Sequence, residues 1–218
     1  MKLHACFVLA ALACGGRPPV PQRYVVEDDL GIWKYRRVQK LLDIEVWVDG
    51  NHADGYAASY ISEDAYKRGK IDEKDVVNVF VTHYEKPDGV LRETVKLARR
   101  LAGESGYKVD EDKFGKTRAL VISGHDEAWV MWPSEQYFVK IGGRYRDDVP
   151  KALVASYADR FPSQLPKGAL EGPLPPGPDS KPRDPKKEKY DPDNPRPDME
   201  KYDPKKVKIP AKKSKEGE

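Results

Sequence analysis

The sequence predicts an α+β domain in which a mostly antiparallel β-sheet carries two amphipathic helices on one face. The prediction rests on the segment 23–165, where short β-type runs outnumber helical runs. The runs follow one another as strand, strand, strand, helix, strand, strand, strand, helix, which is an α+β order. The same segment holds all four tryptophans and ten of the twelve tyrosines, so it has the large side chains that a core needs.

The first half of this segment predicts three strands. Residues 43–48 alternate Ile44, Val46 and Val48 with charged or aromatic neighbours, which is a period of two. Residues 55–62 come after a short loop and are expected to pair with them as a hairpin. Residues 76–84 are almost continuously β-branched or aromatic and predict the central strand. Residues 33–42 fit a helix and a strand equally well, and both readings stay open.

The second half predicts a helix, three strands and a final helix. Apolar residues recur at helical spacing after the Pro87 break and predict a helix ending near Gly103 or Gly106. Residues 117–123, 127–132 and 136–141 read as strands, with a turn at Pro133-Ser134 between the last two. The final helix begins around residues 148–150, where proline is tolerated, and ends at Pro162.

The chain begins with a leader-like segment. Lys2 precedes nine apolar residues, 5–13, a length typical of a signal peptide and too short to span a bilayer. The run closes on Ala11-Leu12-Ala13-Cys14, which resembles the lipobox of bacterial lipoproteins. The resemblance implies export, acylation of Cys14 and cleavage just before it. Ala11 stands where that family usually has leucine, and Ala11-Leu12-Ala13 also reads as an ordinary cleavage site that would release a soluble periplasmic or secreted protein. A cytosolic chain with an apolar start is the third reading.

The cysteines agree with the lipoprotein reading, because both lie in residues 1–14. A single cysteine left after cleavage cannot form an internal disulfide. Gly15 after Cys14 resembles lipoproteins that are passed on to the outer membrane. The expected location is therefore the cell envelope, with the lipid anchor as the contact to the membrane.

These features predict four regions: a signal peptide at 1–13, an acylated Cys14 with a Gly/Pro tether at 14–22, the α+β domain at 23–165, and a tail at 166–218. The tail has 12 of the 19 prolines, 14 Lys plus Arg and 11 Asp plus Glu, and its few apolar residues cannot offset the entropy of ordering. It is expected to be a disordered spacer, or a contact to an envelope protein or peptidoglycan. The net charge of +3 gives no signature of nucleic-acid binding.

Candidate catalytic and metal-binding motifs are weak. Ser123, His125 and Asp126 bring a hydroxyl, an imidazole and a carboxylate together and define one alternative, a small periplasmic hydrolase or metal-dependent enzyme, with His83 as a possible addition. A tight turn between strands explains the same residues. Residues 49–55 resemble a calcium loop but lack the required ligands, and a hairpin loop explains them.

Other ligand sites find little support. His52, His83 and His125 are not at a zinc-binding spacing, and Gly142-Gly143 does not begin a phosphate-binding helix, so neither a metal nor a cofactor is expected.

Aromatic residues on the second hairpin offer one more possible surface. Trp129 and Trp132 are expected to point to opposite faces, with Tyr137 and Phe138 on the neighbouring strand. One interpretation is that these side chains line a groove for a peptide or glycan. The other, which we favour, is that they pack in the core. The sequence therefore predicts a non-enzymatic envelope module that binds or scaffolds a partner, with the hydrolase as the alternative.

Overall fold

The computed structural model describes residues 16–177 and confirms an α+β fold that consists mostly of antiparallel sheet. The sheet has seven strands in the order β1-β2-β3-β7-β6-β5-β4. Their bounds are β1 Trp33–Lys40, β2 Ala53–Ser62, β3 Val76–Tyr84, β4 Tyr107–Phe114, β5 Thr117–Gly124, β6 Glu127–Ser134 and β7 Tyr137–Arg144. The helices are α1 Glu63–Arg68, α2 Val90–Ala102 and α3 Lys151–Ala158, with a 3₁₀ turn at Glu73–Asp75.

The antiparallel pairing gives the sheet two distinct ends. The β6–β7 turn contains Glu135, and β1 and β3 end beside it while β2 begins there; we call this the Glu135 end. The β5–β6 turn contains His125 and marks the other end, which we call the His125 end. Strands of eight residues place the two ends about 23 Å apart at roughly 3.3 Å per residue.

The two long helices cover opposite faces of the sheet, so the prediction that both pack on one face is wrong. Helix α2 buries Val95 and Ala98 against Trp129 and Met131 of β6, whereas α3 packs with the cluster that contains Trp132 of the same strand. Alternate residues of β6 point to opposite faces, and both sets are buried. The nearly continuous apolar run in β6 is the pattern of a strand that is covered on both sides.

Residues 41–52 form a loop, so the predicted strand at 43–48 and its hairpin with 55–62 are also wrong. Strand β2 pairs instead with β1, which resolves the ambiguous segment 33–42 as a strand, and with β3. Val46 and Val48 are each only 2% exposed because the loop lies over the α2 face. The alternating apolar residues at 43–48 therefore reflect the burial of Val46 and Val48, and the segment does not pair as a strand.

Strand β3 is an interior strand as predicted, and the helix after it, β5, β6 and β7 lie close to their predicted positions. Strand β4 has no counterpart in the prediction. The turn between β6 and β7 falls at Glu135 rather than at Pro133-Ser134. Pro133 lies inside β6, beyond the last residue that pairs with β5, where its missing N–H costs no ladder hydrogen bond.

The folded part continues beyond the predicted boundary at residue 165. Leu165 is 6% exposed and Ala169 is 4% exposed, both packed with the α2 cluster. Arg99 of α2 donates to the carbonyl oxygens of Ala169 and Gly172. Segment 166–177 therefore belongs to the domain because it covers apolar surface beside α2. The predicted tail from residue 178 onward, and the predicted leader with Cys14, lie outside the described residues.

Among the helices of residues 16–177, none has the length and apolar character needed to cross a bilayer.

Candidate functional site

The most exposed aromatic side chain of the described segment belongs to Trp47, in the loop 41–52. Its exposed fraction is 69%, whereas Trp33, Trp129 and Trp132 are 6%, 8% and 0% exposed. Trp47 lies between Val46 and Val48, which are both buried, so the alternation that buries its neighbours turns its own ring outward. The ring is thus displayed on a segment that is itself fixed to the domain.

Side chains of β3 and β7 hold this loop in place. The Tyr84 hydroxyl donates to the carbonyl oxygen of Val46 at 2.5 Å. Lys140 of β7 donates to both carboxylate oxygens of Glu45 at 2.7 and 2.8 Å, and it also lies 4.4 Å from the centroid of the Trp129 ring. Burial, and after it the charge of Glu45, raises the pKa of the Tyr84 hydroxyl above its usual value, so the hydroxyl stays a donor at neutral pH.

Asn51 fixes the far end of the loop. It is 8% exposed, its amide nitrogen donates to the carbonyl oxygens of Lys86 and Asp88, and its side-chain oxygen accepts from the Lys86 N–H. This one side chain ties the loop to the connection between β3 and α2. In the sequence, Asn51 is only part of a turn-rich stretch, with no sign of this clamp.

Trp47 lines two hollows. The first has a volume of about 500 Å³ and lies between the loop and α2; its lining is Glu45, Val46, Trp47, Glu93, Lys96, Leu97 and Arg100. Its lining combines the apolar residues Val46, Trp47 and Leu97 with charged residues of both signs. Glu93 pairs with Lys96 at 2.6 Å, and Arg100 approaches Glu104 at 3.9 Å with its side chain 68% exposed.

The second hollow has a volume of about 380 Å³ and also has Trp47 in its lining. It is lined by Lys40, by the loop residues 41–44 and 47, and by residues 51–54. Leu42, wholly exposed, belongs to this lining. The two hollows and Trp47 form one apolar and mixed-charge surface, which we call the Trp47 surface.

A second group of polar side chains lies on the α3 face at the Glu135 end. His83 is held between the rings of Tyr24 and Tyr137, each with its centroid 5.0 Å from the imidazole. Its Nε2 lies 2.8 Å from the Gln136 amide nitrogen, and its Nδ1 lies 3.3 Å from the Tyr24 hydroxyl. Both ring nitrogens of His83 therefore have a polar partner.

The hydrogen bonds of this group continue to a carboxylate. The Tyr24 hydroxyl contacts His83 Nδ1 and donates to Asp54 Oδ1 at 3.4 Å. Burial, followed by the carboxylate of Asp54, raises the pKa of the Tyr24 hydroxyl. The polar atoms of the group satisfy one another, and the arrangement fastens the segment before β1 to the sheet.

The structure does not assemble the residues of the hydrolase alternative. Ser123 lies on the α3 face, in line with Ala119 and Val121 of β5. The His125 ring packs against Tyr107 of the α2 face at 4.7 Å, and its Nε2 faces the carbonyl oxygen of Ser105 at 3.0 Å. His125 and Asp126 both have positive φ, as the two central residues of a type I′ hairpin turn require.

The remaining candidates are also separated or structural. His83 lies at the Glu135 end and His125 at the His125 end, about 23 Å away along β7 by the rise of a strand. His52 is exposed in the loop before β2. Within residues 16–177, no three His, Cys, Asp or Glu side chains converge in a way that suits a metal ion.

The aromatic groove suggested for the second hairpin is filled by the core. Trp129 and Trp132 point to opposite faces as predicted, and Phe138 is 1% exposed. The Trp132 indole N–H donates to the carbonyl oxygen of Phe161 at 2.7 Å. Gly142 lies so close to β6 that an added Cβ would be 2.1 Å from the Ala128 oxygen. Close packing of the two strands therefore explains why this position is a glycine.

Comparison of the chain with protein-family models, with curated proteins and with solved structures found no match.

Proposed function

We propose that the protein is a lipid-anchored, non-enzymatic module of the bacterial cell envelope that binds a partner protein through the Trp47 surface. The anchor is Cys14, on the strength of its resemblance to the lipobox. The observation that carries the binding role is Trp47, a large aromatic side chain that is 69% exposed on a loop held by buried contacts. Exposed tryptophans on fixed elements are frequent anchors of protein interfaces.

The composition of the Trp47 surface favours a protein as the partner. Trp47 provides an exposed apolar side chain above the buried Val46 and Leu97, and Glu45, Glu93, Lys96 and Arg100 line the same hollow with two charges of each sign. An apolar anchor accompanied by polar and charged groups is typical of protein–protein interfaces. A polyanion such as a nucleic acid would require a rim of positive charge. The partner is therefore expected to present an apolar side chain flanked by charges of both signs.

The proposal is tested first by cross-linking from the surface in the envelope. A photoreactive residue at position 47 is expected to capture one partner, and the same residue at position 66 is not. Tyr66 is the matched position, because it is also aromatic and 64% exposed but lies on α1 at the His125 end.

The captured partner is then purified and titrated against the protein. Because the other three tryptophans are buried, a collisional quencher acts mainly on Trp47, and binding is expected to protect that fluorescence. In a calorimetric titration, which does not depend on the fluorescence of Trp47, Trp47→Ala is expected to weaken binding by about 30-fold, corresponding to the roughly 2 kcal/mol of an interface hot spot, while Tyr66→Ala leaves it unchanged. Equal affinity of Trp47→Ala and the wild type would contradict the proposal.

The tail is assigned the role of a spacer. A chain that ends at Pro178 retains segment 166–177 with its contacts to α2 and lacks residues 179–218. It is expected to bind the partner as the full chain does. Loss of binding in this shorter chain would transfer the binding role to the tail.

A further inference from the structure

The segment just after the predicted acylation site is fastened to the Glu135 end of the sheet. Arg17 donates from Nε to the carbonyl oxygen of Arg160 at 2.5 Å. Its other nitrogens lie 3.4 Å from the Ser134 hydroxyl and 3.5 Å from the Glu135 carboxylate. The side chain thus bridges the end of β6, the β6–β7 turn and the residues after α3. Each contact is partly exposed and individually weak, but all of them hold the same arginine at one place.

The same segment is fastened again a few residues later. The Tyr24 ring packs against His83, and its hydroxyl contacts His83 and Asp54. Tyr24 has a φ of 59°, an unusual conformation for a bulky residue, which is maintained by these contacts. Two residues further on, Val26 donates its N–H to the Tyr157 hydroxyl at 2.9 Å. Residues 17–26 therefore run along the domain rather than away from it.

Chain length then limits where a lipid on Cys14 can be. Arg17 is three residues after Cys14, so their Cα atoms are at most about 11 Å apart at roughly 3.6 Å per residue. If only Tyr24 were fastened, ten residues would be free and the limit would rise to about 36 Å. The His125 end lies about 23 Å beyond the Glu135 end by the rise of a strand. With Arg17 in contact with the sheet, the limit of about 11 Å is less than half of the roughly 23 Å between the two ends.

We infer that the Glu135 end of the sheet is the surface that faces the lipid bilayer, with Arg17 holding the domain close to the membrane and its His125 end directed away. This inference rests on the proposed acylation of Cys14. It goes further by assigning one end of the fold to the lipid surface and by making Arg17 the residue that sets the distance between them. The predicted tether at 14–22 is thereby shortened to the residues before Arg17.

The test uses the full-length mature protein as the bacterium processes it, mixed with lipid vesicles that contain a headgroup-linked nitroxide quencher. The only cysteines of the chain are Cys6 in the predicted leader and the acylated Cys14, so an introduced cysteine is the single site for a fluorescent label. Lys116→Cys places the label in the β4–β5 turn at the Glu135 end. Ser105→Cys places it before β4 at the His125 end. Both positions are exposed.

The label at position 116 is expected to be quenched more strongly than the label at position 105. Arg17→Ala is expected to reduce quenching of the label at position 116. Most of the difference in quenching between positions 116 and 105 should then disappear. Arg23→Ala is the matched control, because Arg23 lies in the same segment but pairs with Glu27 instead of the sheet end. This control is expected to keep the full difference.

The outcomes separate the anchor from the orientation. If neither labelled protein floats with the vesicles, the acylation of Cys14 fails, and the proposed function and the orientation fall together. If both float but the two labels are quenched equally or in reverse order, the orientation is overturned while the anchor stands. If both float and Arg17→Ala behaves as the wild type, the assignment of Arg17 is overturned.

Discussion

The Tyr157 hydroxyl joins α3 to the segment that precedes β1, and its removal gives a prediction with a calculable size. Tyr157 is wholly buried; its oxygen accepts from the Val26 N–H at 2.9 Å and lies 2.8 Å from the Tyr60 hydroxyl. The Tyr60 hydroxyl in turn donates to the carbonyl oxygen of Val26. Tyr157→Phe removes one oxygen and keeps the ring, so the volume of the core is almost unchanged.

The variant leaves one buried donor without its acceptor. Val26 is 7% exposed, so water does not readily replace the lost bond, while Tyr60 keeps its bond to the Val26 oxygen. An orphaned buried donor costs about 1–3 kcal/mol of the free energy of unfolding. For a domain of this size, each kcal/mol lowers Tm by about 2–4 °C. The loss should be largest at the segment around Val26, which loses its fixed contact with α3.

The assay is urea unfolding monitored by circular dichroism, together with amide hydrogen exchange at Val26. Tyr157→Phe is expected to lower the urea midpoint and to speed exchange at Val26. Tyr66→Phe, which alters an exposed hydroxyl, is expected to change neither. A Tyr157→Phe protein that unfolds at the midpoint of the wild type, with Val26 still protected, would refute the reasoning that this hydrogen bond holds the segment.

The described contacts support three further predictions. Burial raises the pKa of Tyr157 from 10.0 to about 12 and also raises that of Tyr84. As the pH rises, the folded state therefore keeps these two protons after the unfolded state has released them. The free energy of unfolding should fall as the pH rises from about 10 to about 12. Glu111→Ala removes a carboxylate that accepts two backbone N–H groups of segment 166–177 at 2.9 Å each, and trypsin should then cleave that segment faster. Gly142→Ala places a Cβ 2.1 Å from a carbonyl oxygen of β6 and should cost about 1–3 kcal/mol or more in urea unfolding.

Each of these has its own contradicting result. Below pH 10 both tyrosines contribute fully to the free energy of unfolding, and this contribution should decrease between pH 10 and about 12. A urea midpoint that stays constant up to about pH 12 would therefore refute the alkaline prediction. Equal tryptic cleavage of Glu111→Ala and of Glu104→Ala, a change at an exposed glutamate, would remove the proposed role of Glu111. Gly103→Ala is the control for Gly142, since its Cβ would meet no atom closer than 3.4 Å. Equal stability of the two glycine variants would contradict the packing argument.

The sequence predicts best the elements whose own residues determine their structure. Residues 76–84 and the helix after Pro87 carry strong local patterns, and both lie where they are expected. The strand β4 carries a weak pattern, since Tyr107 and Val109 pack against one side of the core, Phe114 packs against the other, and the remaining positions are charged. Its pairing with β5 at the edge of the sheet decides its structure, and no local feature of the sequence reports that pairing.

Alternation of apolar residues is less informative about pairing than about burial. Val46 and Val48 are buried as their spacing implies, but they cover a face of the sheet instead of extending it. The same difficulty affects the helices, because an apolar helix stripe says that a face is buried and does not say which side of the sheet buries it. In β6, the run from Ala128 to Trp132 does indicate that both faces of the sheet are covered, since the residues pointing to each face are apolar.

The candidate site is the part least accessible from sequence. Exposure of Trp47 results from the burial of its two neighbours, so an outward position can be inferred from the alternation. The clamp by Asn51 and the contacts of Tyr24 with His83 join residues that are far apart in the chain, and only the fold brings them together. Segment 166–177 has the sequence character of a tail because prolines and charges dominate the composition of 166–218 as a whole. Its few apolar residues nevertheless suffice to cover the surface beside α2.

Mass spectrometry of the protein recovered from the membrane fraction tests the lipid anchor most directly. We expect a chain that begins at Cys14 and carries acyl groups on that cysteine. A chain in the same fraction that retains Met1, or one that begins at Cys14 without acyl groups, would contradict it.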